Sequence, residues 1–236
     1  MSASPIAFGS NSLLNLLTPE CRQNFINQCD LINLNAGDFL GKSGDTISYV
    51  YFPVEGVISW EKSIIGGPNS LVALIGNEGM FCISLVLGID VMHCQALVQK
   101  SGFALRISST SFAHQIEVQP AFDVILKHYV YVAYKQIVQL ATCNLFHLLE
   151  NRLAKLLLMF QDRLQSDELY ITHKQLAELL GVRRVGVTKA AGSLQRKNLI
   201  SYSRGNVIIH DLNGLKGLAC VCYQTDIFTY EGILSD

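Results

Sequence analysis

The stretch LYITHKQLAELLGVRRVGVTKAAGSLQRKNLISYSRGNVIIHD, residues 169–211, decides how the second half of this chain folds. Thr172, followed three residues later by Gln175, is the pattern of a capping box that begins a helix. Gly181 permits a tight turn after that helix, because glycine adopts the left-handed backbone conformation at no steric cost. A second helix is predicted from about residue 183 to residue 198. Two short helices joined by a glycine turn indicate a helix-turn-helix.

The segment SYSRGNVIIH, residues 201–210, predicts a β-hairpin with Arg204-Gly205-Asn206 at its tip, which would be the wing of a winged helix. In such a domain the second helix lies in the major groove of double-stranded DNA and presents its first residues to base edges. Arg196 and Lys197 extend the basic surface. The residues predicted to contact DNA are Thr172, His173, Lys174, Gln175, Arg183, Arg184, Val185, Thr188, Lys189 and Arg204.

The distribution of charge supports a nucleic-acid partner for this segment. The 236 residues carry a formal net charge of −1, which by itself argues against nucleic acid. Residues 151–204, however, contain ten basic and four acidic residues, whereas residues 1–150 carry a charge of −4 and residues 205–236 a charge of −3. A compact basic block in an acidic chain is typical of a nucleic-acid binder. The alternative is a winged helix used for protein contact, with the basic residues as a solvated face.

The overall composition excludes several classes of protein. Half of the residues are hydrophobic and 16% are charged, which excludes a disordered chain, a coiled-coil rod and a collagen-like chain. The seven cysteines are odd in number and scattered, which favours reduced thiols over a disulfide framework. No signal peptide is recognisable, and no apolar run approaches the ~18 residues that span a membrane. We therefore expect a cytoplasmic protein without a membrane partner.

Proline and glycine divide the chain into a β region and an α region. All five prolines lie at or before Pro120, and glycine is absent over residues 103–180. Short apolar runs separated by glycine, from about residue 31 to residue 107, predict an antiparallel sandwich or barrel. Residues 11–30 have the spacing of one or two short amphipathic helices.

The helix predicted to begin near Pro120 has an unusually wide apolar face, made of two adjacent stripes. One stripe is enough to dock a helix on its own domain. The additional face predicts packing against the same helix of a second subunit, as a short coiled coil. The alternative is a helix sunk in one larger core. The residues predicted at the dimer interface are Phe122, Ile125, Tyr129, Val132 and Gln136.

Four segments, in order, resemble the Crp/Fnr superfamily of bacterial transcription regulators. GDFLGKSGDTISYVYFPVEGVIS resembles the β-roll of that family, IGNEGMF the start of its effector cassette, and ITHKQLAELLGVRRVGVTKAAGSLQRKNLI its helix-turn-helix. The remaining segment is the long helix, which lies between the effector cassette and the helix-turn-helix and resembles the dimerisation helix of the family. The resemblance implies an α+β fold: an effector-sensing antiparallel β-roll of the jelly-roll, cyclic-nucleotide-binding-like type with N-terminal helices (1–117), a dimerisation helix (118–150) and a winged helix-turn-helix (151–236).

The resemblance also implies a homodimeric DNA-binding regulator that contacts RNA polymerase. The positions that read bases in the family fall on Arg184, Val185 and Lys189 of this sequence. Arg184 matches the guanine-reading arginine, whereas Val185 stands where many members have a glutamate. Because valine makes only apolar contacts, for example with a thymine methyl group, the DNA site is expected to differ from the best-known one.

The cyclic-nucleotide-binding members of the family hold the cyclic phosphate with an Arg-Ser or Arg-Thr pair. Met92 and His93 stand at those positions, and Asn77 replaces the glutamate that takes the ribose hydroxyl. The resemblance therefore implies a pocket for an effector other than cyclic AMP bound in the usual mode, or no effector. The residues predicted to line this pocket are Gly76, Asn77, Glu78, Gly79, Met80, Met92, His93 and Cys94.

No catalytic residue and no metal site is predicted. The sequence contains no P-loop, no GxSxG and no HExxH, so an enzyme is not expected. Cys21 and Cys29 lack the closely spaced partners that an iron–sulfur cluster needs. A haem or metal role for His93 and Cys94 stays open as a weaker alternative.

Two further cysteine patterns leave alternatives open. Cys143 and His147 have the i,i+4 spacing of a metal-binding pair, although a core cysteine beside a surface histidine is the commoner case. Cys220 and Cys222 are either a redox pair or two buried thiols. The alternatives to the main reading are thus a haem-, metal- or redox-responsive regulator of the same fold, and an interaction module that has lost DNA binding.

Overall fold

The computed structural model of this protein describes residues 11–63 and 69–234. The chain folds as two compact units, Met1–Ser59 with Ile75–Tyr131 and Trp60–Leu74 with Val132–Asp236. The predicted α+β class is confirmed, since strands dominate the first half and helices the second. The domain boundaries predicted after residues 117 and 150 stay a prediction.

Two short helices precede the strands, as predicted: α1 (Ser12–Asn15) and α2 (Pro19–Ile26). Thr18 begins α2 by accepting a hydrogen bond from the backbone N–H of Cys21 at 3.4 Å. Pro19 follows in the first turn, where its missing N–H costs nothing.

The strands of the first half form two sheets. They are β1 (Asp30–Leu34), β2 (Phe39–Gly41), β3 (Tyr49–Pro53), β4 (Val57–Ser63), β5 (Asn69–Ile75), β6 (Gln95–Lys100) and β7 (Gly102–Ser108). One sheet has the order β1-β7-β3 and the other β2-β6-β4-β5. Both β1 and β3 run antiparallel to β7, and β2 runs antiparallel to β6, as expected for a β-roll. A 3₁₀ helix, Ile83–Leu87, lies between β5 and β6.

Four phenylalanines form the centre of the first unit. Phe25 packs edge to face against Phe52 and Phe122, with ring centroids 5.2 and 4.9 Å apart. Phe112 packs edge to face on Phe122 at 6.2 Å. All four side chains are fully buried. Their contacts pack α2 and β3 against helices α3 (Ser109–Val118) and α4 (Pro120–Phe146). Edge-to-face pairs add to the free energy gained by burying the apolar area.

The remaining elements belong to the second half of the chain. They are α5 (Leu149–Leu164), β8 (Glu168–Tyr170), α6 (His173–Leu180), α7 (Arg184–Arg196), β9 (Ile200–Ser203), β10 (Asn206–Ile209), α8 (Leu212–Leu218) and α9 (Cys222–Leu234). The three short strands form an antiparallel sheet in the order β8-β10-β9. Within the described ranges, no helix combines the length and the apolar character that crossing a membrane requires.

Candidate nucleic-acid interface

Helix α6 begins and ends at the residues that the sequence indicates. The Thr172 hydroxyl accepts a hydrogen bond from the Gln175 backbone N–H at 3.2 Å, and the Gln175 side-chain oxygen accepts one from the Thr172 N–H at 2.9 Å. This reciprocal capping box satisfies two backbone donors at the helix start. Gly181 ends the helix in the left-handed region, at φ 64°. The predicted helix-turn-helix geometry is confirmed by these two termini.

Helix α7 buries one face and exposes the other. Val187, Ala191 and Leu194 are buried, as the sequence predicts. The helix begins after Arg183, whose side chain forms no capping hydrogen bond with the helix. Since residues i, i+3 and i+4 share a helix face, burial of this apolar stripe turns the remaining residues of the first turns outward.

The exposed face of this region is strongly basic. The predicted contacts that are exposed are Lys174, Arg183, Arg184, Val185, Thr188, Lys189 and Arg204, whereas Thr172, His173 and Gln175 are half-buried. Among the described residues, Arg183, Arg184, Lys189 and Arg204 form no ion pair. Their charges are therefore not neutralised by neighbouring carboxylates. Val185 is 60% exposed, which is a high exposure for an apolar side chain in the first turn of a helix.

Two other lysines of the basic block are paired with glutamates. The Lys197 ammonium lies 2.5 Å from a Glu150 carboxylate oxygen, which also accepts a hydrogen bond from Ser193 at 3.1 Å. The hydrogen bond from Lys197 holds the pKa of Glu150 below its ordinary value. Lys174 is 3.8 Å from Glu178 on the same helix. Because Glu150 neutralises it, Lys197 adds less to the basic surface than the sequence suggests. The sequence did not indicate this pair, because the two residues lie far apart in the chain.

His173 is positioned by the wing. Its ring stacks on the Tyr202 ring, with centroids 3.9 Å apart and planes at 17°, and its backbone N–H donates to the Tyr202 hydroxyl at 3.0 Å. The Thr188 hydroxyl lies 3.1 Å from His173 Nδ1. Burial, and then the nearby Arg184 charge, lower the pKa of His173. The ring is thus neutral at pH 7, so it orients neighbours rather than supplying charge. Sequence reasoning missed Tyr202, although an aromatic residue in a wing strand was a usable signal.

The wing is a two-residue hairpin. Ser203 and Asn206 are paired across β9 and β10, so that the turn consists of Arg204 and Gly205. Both turn residues have positive φ, 48° and 88°, as a type I′ turn requires. The predicted hairpin is confirmed, with Asn206 in the strand rather than at the tip. The turn presents the Arg204 side chain to solvent.

The residues predicted for an effector pocket lie on two segments of the first unit. Residues 76–80 follow β5, and residues 92–94 precede β6. The Glu78 carboxylate accepts the backbone N–H of Gly76 at 3.1 and 3.3 Å. The Asn77 carbonyl accepts the N–H of Ser12 at 2.7 Å, and the Met80 carbonyl accepts the Tyr129 hydroxyl at 3.5 Å.

Met92 is the residue that the resemblance matches to the phosphate-binding arginine of the family's cyclic-nucleotide binders. Its side chain is buried and its sulfur packs against Gly41, while His93 is exposed and Cys94 is buried. A buried thioether offers no donor to a phosphate. The residues present therefore do not fit a cyclic nucleotide held in the usual mode.

Helix α4 uses part of the predicted dimer stripe inside its own chain. Phe122, Tyr129 and Val132 are buried, whereas Ile125 and Gln136 are half-buried. The hydrophobic side chains that α4 exposes lie elsewhere on it: Val124, Tyr131, Tyr134, Val138, Leu145 and Phe146. The sequence showed a wide apolar face but not which part of it turns inward.

Comparison with known proteins agrees with this geometry. Residues 151–218 match the model of the Crp-like helix-turn-helix domain. Over 93 residues the chain is 38% identical to the transcriptional regulator SdrP of Thermus thermophilus, and the match covers 37% of this chain and 44% of that protein. The chain thus matches less than half the length of this curated relative.

Two solved structures share the fold over most of their length. A Crp/Fnr-family regulator from Eubacterium rectale has a TM-score of 0.68 at 17% identity, covering 87% of this chain and 96% of that chain. FixK2 from Bradyrhizobium japonicum has a TM-score of 0.69 at 13% identity, covering 82% and 98%. At such identities the likeness concerns the fold. Residues 151–218 therefore match a Crp-like helix-turn-helix domain, and the chain shares its fold with a solved Crp/Fnr-family regulator.

Proposed function

We propose that this protein is a sequence-specific DNA-binding transcription regulator that acts as a homodimer. The observation that carries the proposal is the exposed start of α7, where Arg183, Arg184 and Lys189 form no ion pair with another described residue. Three exposed cations at the start of one helix create a positive potential that attracts an anionic partner. The phosphate backbone of DNA is such a partner.

The residues of this surface divide into two roles. Arg184 donates two hydrogen bonds to a guanine, Val185 contacts a thymine methyl group, and Lys189 completes the base-reading set. Lys174 and Arg204 contact phosphates from the start of α6 and from the wing. Thr172 and Gln175 support DNA binding by fixing the start of α6 rather than by contacting DNA, because their side chains are hydrogen-bonded to each other in the capping box.

A parallel pair of α4 helices supplies the dimer. Val124, Tyr131, Val138 and Leu145 are spaced by seven residues and are 51%, 52%, 49% and 79% exposed. A seven-residue apolar repeat is the pattern that packs two helices as a coiled coil. The proposal rests on this stripe, because three of the five residues predicted from the sequence, Phe122, Tyr129 and Val132, are buried within the chain itself. A two-fold dimer places two α7 helices in successive major grooves, ~34 Å apart, on a near-palindromic site.

Replacing Val138 with glutamate is expected to convert the dimer to a monomer, because two carboxylates would face each other in an apolar seam. Analytical ultracentrifugation at several protein concentrations measures the change. Phe228→Glu is the matched control, since Phe228 is 67% exposed on a different helix, α9. A V138E protein that sediments as the wild type does would contradict this dimer.

An effector in the β-roll is the regulatory part of the proposal. The pocket residues fit no cyclic phosphate in the usual mode, so the effector would be another small molecule. By shifting the population between two arrangements of the recognition helices, it would change affinity for DNA. Contact with RNA polymerase is a further expectation drawn from the family.

Selection of bound sequences from a random DNA pool, with and without cell extract, tests the function. We expect enrichment of a near-palindromic site, and a dependence on extract only if an effector is required. Affinity for the enriched site should then fall steeply with salt, with a slope of about −0.9 in log–log form for each phosphate contacted. If no DNA sequence is enriched, and if any residual binding to DNA does not change with salt, the result would favour an interaction module that has lost DNA binding.

A further inference from the structure

Three thiols and one imidazole converge where α4 ends. Cys143 lies in the last turn of α4, and His147 follows the helix, its backbone N–H donating to the Cys143 carbonyl at 3.1 Å. Cys220 and Cys222 lie between α8 and the start of α9. One potential ligand atom from each of the four residues lies within 4.8 Å of all the others. All four residues belong to the second unit.

The separations match a tetrahedron around a single ion. Zn–S and Zn–N bonds of about 2.3 and 2.0–2.1 Å give tetrahedral edges of about 3.8 Å between two sulfurs and about 3.6 Å between sulfur and nitrogen. Here Cys143 Sγ lies 3.5 Å from Cys220 Sγ, and Cys222 Sγ lies 3.3 Å from His147 Nδ1. Small outward movements of these side chains bring the two separations to the ideal edges, and the remaining separations are at most 4.8 Å. An iron–sulfur cluster would need a wider cage, because several metal and sulfide ions must fit between the ligands.

The surroundings suit metal-bound thiolates. The three cysteines are 1%, 8% and 0% exposed, in chain order, so water cannot solvate a free thiolate among them. The Gln139 side-chain amide donates to Cys222 Sγ at 2.8 Å, an outer-shell hydrogen bond of the kind that orients metal ligands. Exclusion of water and this hydrogen bond are typical surroundings of a closed metal site.

We propose that Cys143, His147, Cys220 and Cys222 bind one Zn²⁺ in a tetrahedral Cys₃His site. The site has four protein ligands and no open position, so it is structural rather than catalytic. It holds the last turn of α4 against the corner between α8 and α9. From the sequence no metal site was predicted: Cys143 with His147 stayed open as a metal-binding pair and Cys220 with Cys222 as a redox pair, but nothing in the sequence joined the two pairs. The proposal does not depend on DNA binding.

Elemental analysis of the full chain, purified with reductant and without oxygen, tests the site. We expect one zinc per chain. Replacement by Co²⁺ should give the visible bands of a tetrahedral ion and the near-ultraviolet charge-transfer absorption of cobalt–thiolate bonds. Competition with a chromophoric chelator measures the affinity. C220S and H147Q should each weaken it more than the ~10–100-fold expected when an outer-shell partner is removed, whereas Q139L should fall within that range.

The control variant is C82S, because Cys82 is also buried but lies in the first unit. It should bind zinc as the wild type does. Since a ligand variant can lose its fold, the thermal midpoint of the wild-type protein is measured with chelator and after zinc is restored. We expect the thermal midpoint to fall with chelator and to recover fully when zinc is restored. Zinc that C220S and H147Q retain, an unchanged midpoint on chelation, or a Cys143–Cys220 disulfide in the anaerobic protein would each overturn the proposal.

Discussion

Replacing Arg184 with alanine is expected to weaken binding to the selected DNA site by about 5- to 150-fold, which corresponds to the ~1–3 kcal/mol of a bidentate contact to guanine. Arg184 is exposed in the first turn of α7, and its guanidinium forms no ion pair within the described residues. Arg184→Glu should go further and abolish the specific complex, because it places a carboxylate against the negatively charged duplex. Fluorescence anisotropy with the selected site and with a scrambled duplex measures both effects.

The matched control for charge is Arg22→Glu. Arg22 lies on α2, where its guanidinium donates to the Asn15 side chain at 2.9 Å, and it belongs to the first unit. The two variants carry the same net charge, so a difference between them measures position rather than overall charge. We expect R22E to bind DNA nearly as the wild type does, and sedimentation to show both variants in the wild-type oligomeric state. Equal losses in R22E and R184E would contradict base reading by Arg184.

Local signals in the sequence predicted the elements that carry this surface. Thr172, Gln175 and Gly181 fix the two ends of α6 through hydrogen bonds and a backbone conformation that involve only neighbouring residues. Arg204 and Gly205 likewise define the wing turn by themselves. Such features are predictable because the interacting groups lie within a few positions in the chain.

Features that join distant positions could not be predicted. The ion pair between Glu150 and Lys197 and the approach of Cys143 to Cys220 depend on how α5, α7 and α8 pack, and no periodicity encodes that. The helical spacing of apolar residues, 3.6 residues per turn, predicted that α4 has an apolar face. That Phe122 is buried and Val124 exposed follows instead from the packing of Phe122 in the phenylalanine cluster. Sequence patterns therefore predict elements and faces, whereas partners between elements require the fold.

Replacing Asp226 with alanine is expected to destabilise the protein by about 3–5 kcal/mol, because it leaves the Lys155 ammonium buried without its partner. The Lys155 nitrogen lies 2.5 Å from an Asp226 carboxylate oxygen, and the two side chains are 5% and 16% exposed. For a chain of this size the thermal midpoint should fall by about 6–20 °C. Denaturation followed by circular dichroism at fixed metal content measures the change. Asp123→Ala, which breaks the exposed pair of α4 with Lys127, should cost less than ~1 kcal/mol.

The pair itself is expected to add little net stability. Burial raises the pKa of Asp226 even though Lys155 opposes the shift, so the cost of removing the carboxylate from water exceeds the attraction. Because the pKa of Asp226 is raised in the folded state, protonation of this carboxyl stabilises the folded protein at low pH. This contribution to the free energy of unfolding is lost as the pH rises through the raised pKa. The double variant Lys155→Met with Asp226→Leu should therefore match or exceed the wild type, by up to ~1–4 kcal/mol, while either single change destabilises. Three equally destabilised variants would instead show that the ion pair stabilises the second unit, and that desolvation is the smaller of the two opposing effects.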